Sequence, residues 1–152
     1  MRGLVALSVG GYAVGCSTEP EPPRQSVGRM SELQIGVPHP FVDAEGVPAF
    51  VVKLGTPAEQ GIGPDADIVA FHQACPHMGC PMPIEKVEAG ELTQACVCHF
   101  SKFSLIHLGR PVDGPATQGL TRVVLELEDD ELYVVGRVGT TVGVPASASA
   151  VA

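Results

Sequence analysis

The chain has 152 residues, 45% of them hydrophobic, with 18 glycines, 14 prolines and a formal net charge of −8 when histidines are neutral. That length supports one domain around a single core. So acidic a chain without a basic cluster is not expected to bind nucleic acid, whereas a negative surface suits steering toward a basic partner.

In chain order, Met1 and Arg2 precede thirteen apolar or small residues, Gly3 to Gly15, which end at Cys16. A membrane span needs about 20 such residues, but the run matches the apolar region of a signal peptide. Residues 1–16 are therefore read as a signal peptide or lipoprotein-type export segment. Ala13-Val14-Gly15-Cys16 resembles a bacterial lipobox with alanine where leucine is preferred. Cys16 is accordingly a candidate for lipidation and a lipid anchor, and an ordinary cysteine in a discarded peptide is the other reading. Residues 17–29, rich in proline and polar side chains, read as a linker.

Beyond Arg29 no stretch keeps a helical period. Short Val- and Leu-rich runs between glycines and prolines predict strands at 33–37, 49–54, 67–71, 91–95 and 121–125. Alternation at Leu125-Glu126-Leu127-Glu128, then Asp129-Asp130, then Glu131 to Val135 predicts a terminal hairpin. The expected class is all-β.

Four of the five cysteines and two of the five histidines lie in two segments, Cys75-Pro76-His77-Met78-Gly79-Cys80 and Cys96-Val97-Cys98-His99. Each offers one thiolate and one imidazole: Cys75 with His77, and Cys96 with His99. A two-iron, two-sulfide cluster needs four protein donors, and these supply them. Two ferric ions, two sulfides and two thiolates sum to zero charge when oxidised and minus one when reduced. An all-cysteine cluster is two units more negative, so the mixed site accepts an electron more readily, within roughly −150 to +300 mV. Cys80 and Cys98 remain, one per segment, and a disulfide between them is the economical reading. It implies an oxidising, periplasmic or extracytoplasmic compartment. A zinc site fits less well, because structural zinc sites use C-x2-4-C and H-x3-5-H spacings. A plain disulfide framework leaves both histidines unexplained. His72 is expected to face outward, His39 and His107 to lie in loops or on the surface, and Met78 and Met82 to pack around the cluster.

Both boxes resemble those of Rieske iron–sulfur proteins, C-x-H-x-G-C and C-x-C-H, over about residues 30 to 138. The resemblance implies one [2Fe-2S] cluster with Cys75, His77, Cys96 and His99 as ligands. It also implies a Rieske-type antiparallel β sandwich or barrel base at 30–140, carrying a small cluster-binding subdomain at about 71–117. Residues 141–152 are then a flexible tail. Cys80 and Cys98 resemble the disulfide-bearing branch of cytochrome bc complexes and some arsenite oxidases. Gly114-Pro115-Ala116-Thr117 is similar to the proline loop that covers the cluster in this superfamily.

Val52 to Gly55, Gly63 to Ala70 and His99-Phe100-Ser101-Lys102-Phe103 are similar to the small subunit of arsenite oxidase. Cytochrome bc relatives usually follow the histidine with Gly-Ser-x-Tyr, where this chain has Phe100 and Phe103. Ser101 keeps a hydroxyl donor toward sulfur and Phe103 has none, so a potential below that of quinol-oxidising relatives is expected. The implied role is the electron-transfer subunit of a periplasmic arsenite oxidase, an oxidoreductase whose isolated small chain does not turn over substrate. It would relay single electrons from a molybdopterin large subunit to a cytochrome c or azurin-like acceptor. The alternatives are the Rieske subunit of a quinol-oxidising cytochrome bc complex and the small subunit of a related molybdoenzyme such as iodate reductase. From another class, a metal-stapled structural module stays open.

Overall fold

The computed structural model describes residues 24–87 and 93–143. The expected export segment with Cys16, residues 17–23 of the expected linker, residues 88–92 at the head of the strand expected at 91–95, and residues 144–152 lie outside them.

Strands β3 (Pro48–Lys53) and β4 (Ile68–His72) explain the architecture. They pair antiparallel from Ala49 opposite His72 to Lys53 opposite Ile68. Alternate side chains leave opposite faces of a sheet, and here both faces are covered. Ala49, Val51, Ile68 and Ala70 pack with Val27, Val123, Leu125 and Leu132. Phe50, Val52, Val69 and Phe71 pack instead with Cys75, Met82, Cys96, Phe103, Leu105 and Leu120. One layer fills the base of the domain, and the other seats the cysteine-bearing loops on it.

The remaining base strands are β1 (Gln25–Arg29), β2 (His39–Val42), β8 (Arg122–Glu128) and β9 (Glu131–Val138). The six-stranded sheet runs β1-β9-β8-β4-β3-β2. Its two edges meet: Gln25 Nε2 donates to the Val42 carbonyl at 2.6 Å. The sheet thus curls into a nearly closed barrel, with a side chain spanning the seam that a ladder would otherwise close. A second, three-stranded sheet of β5 (Thr93–Ala95), β6 (Lys102–Ser104) and β7 (Arg110–Asp113) lies within the expected insert. The all-β expectation holds, and no described helix is long and apolar enough to cross a membrane.

Several boundaries differ from the sequence reading. Residues 25–29, expected as linker, form β1 because β9 offers them a free edge. Residues 33–37 form no strand: a 3-10 turn occupies Met30–Glu32, and only Ile35 bridges, in parallel, to Lys53. Ile35 and Val37 are exposed, so neither face of that run meets a core. Strand β2 is not legible in the sequence because Pro40 sits in it, which an edge strand tolerates. β6 and β7 are too short to show a period.

His72 does not face outward. It is fully buried, with Nδ1 2.6 Å from Thr141 Oγ1 and Nε2 2.9 Å from Asp43 Oδ2, off the ideal hydrogen-bond line. Thr141, expected in a flexible tail, is itself buried. Burial pushes the His72 imidazole below its ordinary value; Asp43 and Glu45 oppose the shift and Arg137 adds to it. The folded state therefore binds fewer protons than the unfolded chain below about pH 6.5, so stability is full above that value and falls as pH drops through it. Urea midpoints should decline as the pH falls through about 6.5, and His72→Gln should flatten that decline.

Candidate metal centre

The two cysteine-bearing loops share one backbone pattern. In the first, the Cys75 amide donates to the Cys80 carbonyl at 2.9 Å and the Gly79 amide to the Cys75 carbonyl at 2.7 Å. In the second, the Cys96 amide donates to the Ser101 carbonyl at 2.8 Å and the Phe100 amide to the Cys96 carbonyl at 3.0 Å. Each loop therefore folds back over its leading cysteine. The fourth residue after that cysteine takes a left-handed conformation in both, Gly79 at φ +76° and Phe100 at φ +59°. Glycine adopts it freely; a bulky aromatic does so only under constraint.

These turns direct the side chains the sequence singled out to one place. Cys75 and Cys96 are each 1% exposed and are the free cysteines among the described residues. Burial pushes the Cys75 thiol up, as does its contact with Cys96, while backbone amides of His77 and Met78 donate to the sulfur and oppose the shift. Backbone donors of this kind stabilise a metal-bound thiolate, and no residue type in the sequence announces them. The His77 and His99 rings meet edge to face at 4.9 Å between centroids. His77 Nδ1 is buried without a hydrogen-bond partner, a costly arrangement unless it faces a metal.

Cys80 and Cys98 form a disulfide between the loops, with a Cα–Cα distance of 6.5 Å, inside the range such bonds require. The sulfurs of Cys80, Cys96 and Cys98 lie within 4.8 Å of one another. Two of the three are joined, so that trio is no thiolate site. What remains is two thiols and two imidazoles, which fits a mixed Cys/His [2Fe-2S] cluster and not an all-thiolate one.

Around these loops, Ser101 is fully buried and its Oγ accepts from the Ala116 amide at 3.1 Å, which fastens the Gly114-Pro115 turn over the second loop. Phe103, also fully buried, packs beneath the cysteines. Met82 joins them as expected; Met78 does not, being 67% exposed. His107 and His39 are exposed, although His39 begins β2, and His107 Nδ1 pairs with Glu59 at 2.9 Å.

Comparison with known proteins agrees with this geometry. The family model for the Rieske [2Fe-2S] domain matches residues 24–124. The chain is 37% identical over 124 residues to iodate reductase subunit IdrB of Pseudomonas sp. (strain SCT), covering 79% of this chain and 63% of that protein. With the cytochrome bc1 complex Rieske iron–sulfur subunit of Corynebacterium diphtheriae it shares 35% identity over 69 residues, 45% of this chain and 16% of the other. The chain thus spans just under two thirds of the length of the iodate reductase relative. In fold it is similar to the soluble domain of Rieske protein II (soxF) from Sulfolobus acidocaldarius, with a TM-score of 0.67 and 23% identity over 84% of this chain and 85% of that one. Paired thiols, paired imidazoles, the bridging disulfide and the barrel beneath them agree with the family match: the chain belongs to the Rieske [2Fe-2S] domain family.

Proposed function

We propose that Cys75 and Cys96 hold one iron and His77 and His99 the other, and that the chain is the small subunit of an iodate-reductase-type molybdoenzyme. The observation that carries the ligand assignment is the unpartnered, buried Nδ1 of His77 beside two buried thiols. The choice of enzyme rests on 37% identity to an iodate reductase subunit. The arsenite oxidase expectation finds no such support among these relatives, and the cytochrome bc alternative rests on a shorter match. The partner is then a molybdopterin-containing large subunit, and electrons run toward it from a cytochrome c or azurin-like carrier. The disulfide favours an extracytoplasmic, periplasmic setting.

When bound, the cluster supplies a one-electron couple of moderate potential. The chain's part is to hold it asymmetrically, keep water from its sulfur side and present imidazole edges outward. His99 is exposed and His77 partly so. The test is the chemically reduced complex. Its Rieske absorbance should return on adding iodate; bleaching of the oxidised complex by arsenite would instead restore the first expectation.

The loops also suggest how the partner is recognised. Residues 74–84 and 94–101 contain no Asp, Glu, Lys or Arg, although the chain carries −8 overall. Met78, Val97 and Phe100 are 67%, 59% and 74% exposed beside the histidines. Buried apolar anchors contribute most of the energy at such interfaces, about 2 kcal/mol or more for an aromatic. Phe100→Ser should therefore weaken binding of the partner by about 30-fold, and slow electron transfer accordingly at subsaturating partner, with little dependence on ionic strength. Stopped-flow absorbance at low and high salt reads both effects.

A further inference from the structure

The first cluster-bearing loop is held from a side that the boxes do not foreshadow. After β9 the chain turns at Gly139 and runs back past the end of β4. Thr141 is buried there, its Oγ1 2.6 Å from His72 Nδ1 and 2.9 Å from Thr121 Oγ1. His72 lies three residues before Cys75, and its amide donates to the Thr121 carbonyl at 2.9 Å. One hydroxyl thus joins the strand that leads into the first loop, the strand start beside it and the returning chain.

The next residue reaches the loop itself. A Cβ placed on Gly79 would stand 3.1 Å from Val142 Cγ1 and 3.3 Å from Val142 Cβ. Gly79 closes the turn between His77 and Cys80, at φ +76°. Val142 therefore lies across the crest of that turn; the dihedral favours glycine, and an added Cβ would press on Val142. The second loop has a counterpart device, the Gly114-Pro115 turn fastened to Ser101. Each loop is thus covered by a segment remote in sequence, and the disulfide links the two.

We propose that Thr141–Gly143 is a strap that clamps the first cluster-bearing loop, with Thr141 as its positioning residue, and that it sets how often this loop opens. The consequence for cluster retention rests on the assignment of Cys75 and His77 as ligands. The strap itself does not.

The test uses the cluster-loaded full chain and three variants. Thr141→Val keeps the shape and removes the hydroxyl, Thr141→Ser restores it, and Val142→Ser removes the methyl contact at a half-exposed position where folding is not at risk. Two readouts are needed: hydrogen exchange at the amides of Cys75, Gly79 and Met82, and the rate of bleaching by excess iron chelator. Thr141→Val should raise both about 30-fold, because the hydroxyl's hydrogen bonds to His72 and to Thr121 are both lost, and Val142→Ser should raise both severalfold. Thr141→Ser should stay close to the parent, and amides of β8 and β9 should be unchanged. Equal acceleration across β8 and β9 would make Thr141 a general stability residue and overturn the strap, as would no change in either variant. Faster exchange with unchanged bleaching would uphold the strap and overturn the ligand role of this loop.

Discussion

Cys96→Ser should yield a colourless protein, with the iron content of the parent chain lost altogether. Cys96 is 1% exposed, touches Cys75, and is one of two free thiols among the described residues. Its sulfur has no substitute nearby, because Cys80 and Cys98 are already spent on each other. A serine hydroxyl does not ionise at neutral pH and is a hard donor, whereas iron in a sulfide cluster needs a thiolate. The informative contrast is the double variant Cys80→Ser/Cys98→Ser. That bond closes a loop with a sequence separation of 18, which in the chain-entropy account contributes about 3 kcal/mol. The double variant should remain coloured and fold, but lose that stability and bleach faster when warmed. Iron and acid-labile sulfide assays, with the visible spectrum, separate the two cases. A coloured Cys96→Ser protein would remove the central assignment.

Gly114→Ala should cost at least about 2 kcal/mol, through strain at a left-handed residue and a backbone clash. Gly114 has φ +86°, and a Cβ there would lie 2.5 Å from Ser101 Cα and 2.8 Å from Ser101 N. Those are backbone atoms of the second cluster-bearing loop, so no side-chain rotation relieves the contact. The turn must lift, and the Ala116 amide then leaves Ser101 Oγ. In the proposed cluster site Ser101 donates to a sulfur, and the Ala116 bond to its oxygen would fix the direction of that hydroxyl. Losing a hydrogen bond that favours the reduced cluster lowers the potential, on the order of 50 mV for about 1 kcal/mol in a one-electron couple. Gly46→Ala is the control: φ is +82° there, but nothing lies within 4 Å of the added carbon. It should carry only the dihedral cost of about 1 kcal/mol and leave the potential unchanged. Urea denaturation and a redox titration of both variants test the distinction, and equal effects would refute it.

The site was legible because its chemistry is local. Cys75 and His77 stand two apart, Cys96 and His99 three apart, and each pair is folded back on itself by hydrogen bonds that never leave its own loop. Such spacing survives whatever the rest of the chain does. The pairing of Cys80 with Cys98 followed from the same locality, each lying within three residues of a ligand candidate. Strands β3, β4, β8 and β9 were legible because their apolar runs are long enough to show against the turns.

By itself, the sequence determined the disulfide partners and the all-β class, and it nominated the proposed donor set. Tertiary structure alone decided that Gln25 closes the barrel seam, that His72 turns inward to Thr141 and Asp43, and that Val142 crosses Gly79. It also decided that Phe100 takes the left-handed place glycine holds in the other loop. The physical reason is the range of the forces involved. Ligand spacing and turn chemistry act across a few residues, whereas burial of a polar side chain or capture of a free strand edge depends on segments about seventy to one hundred residues away.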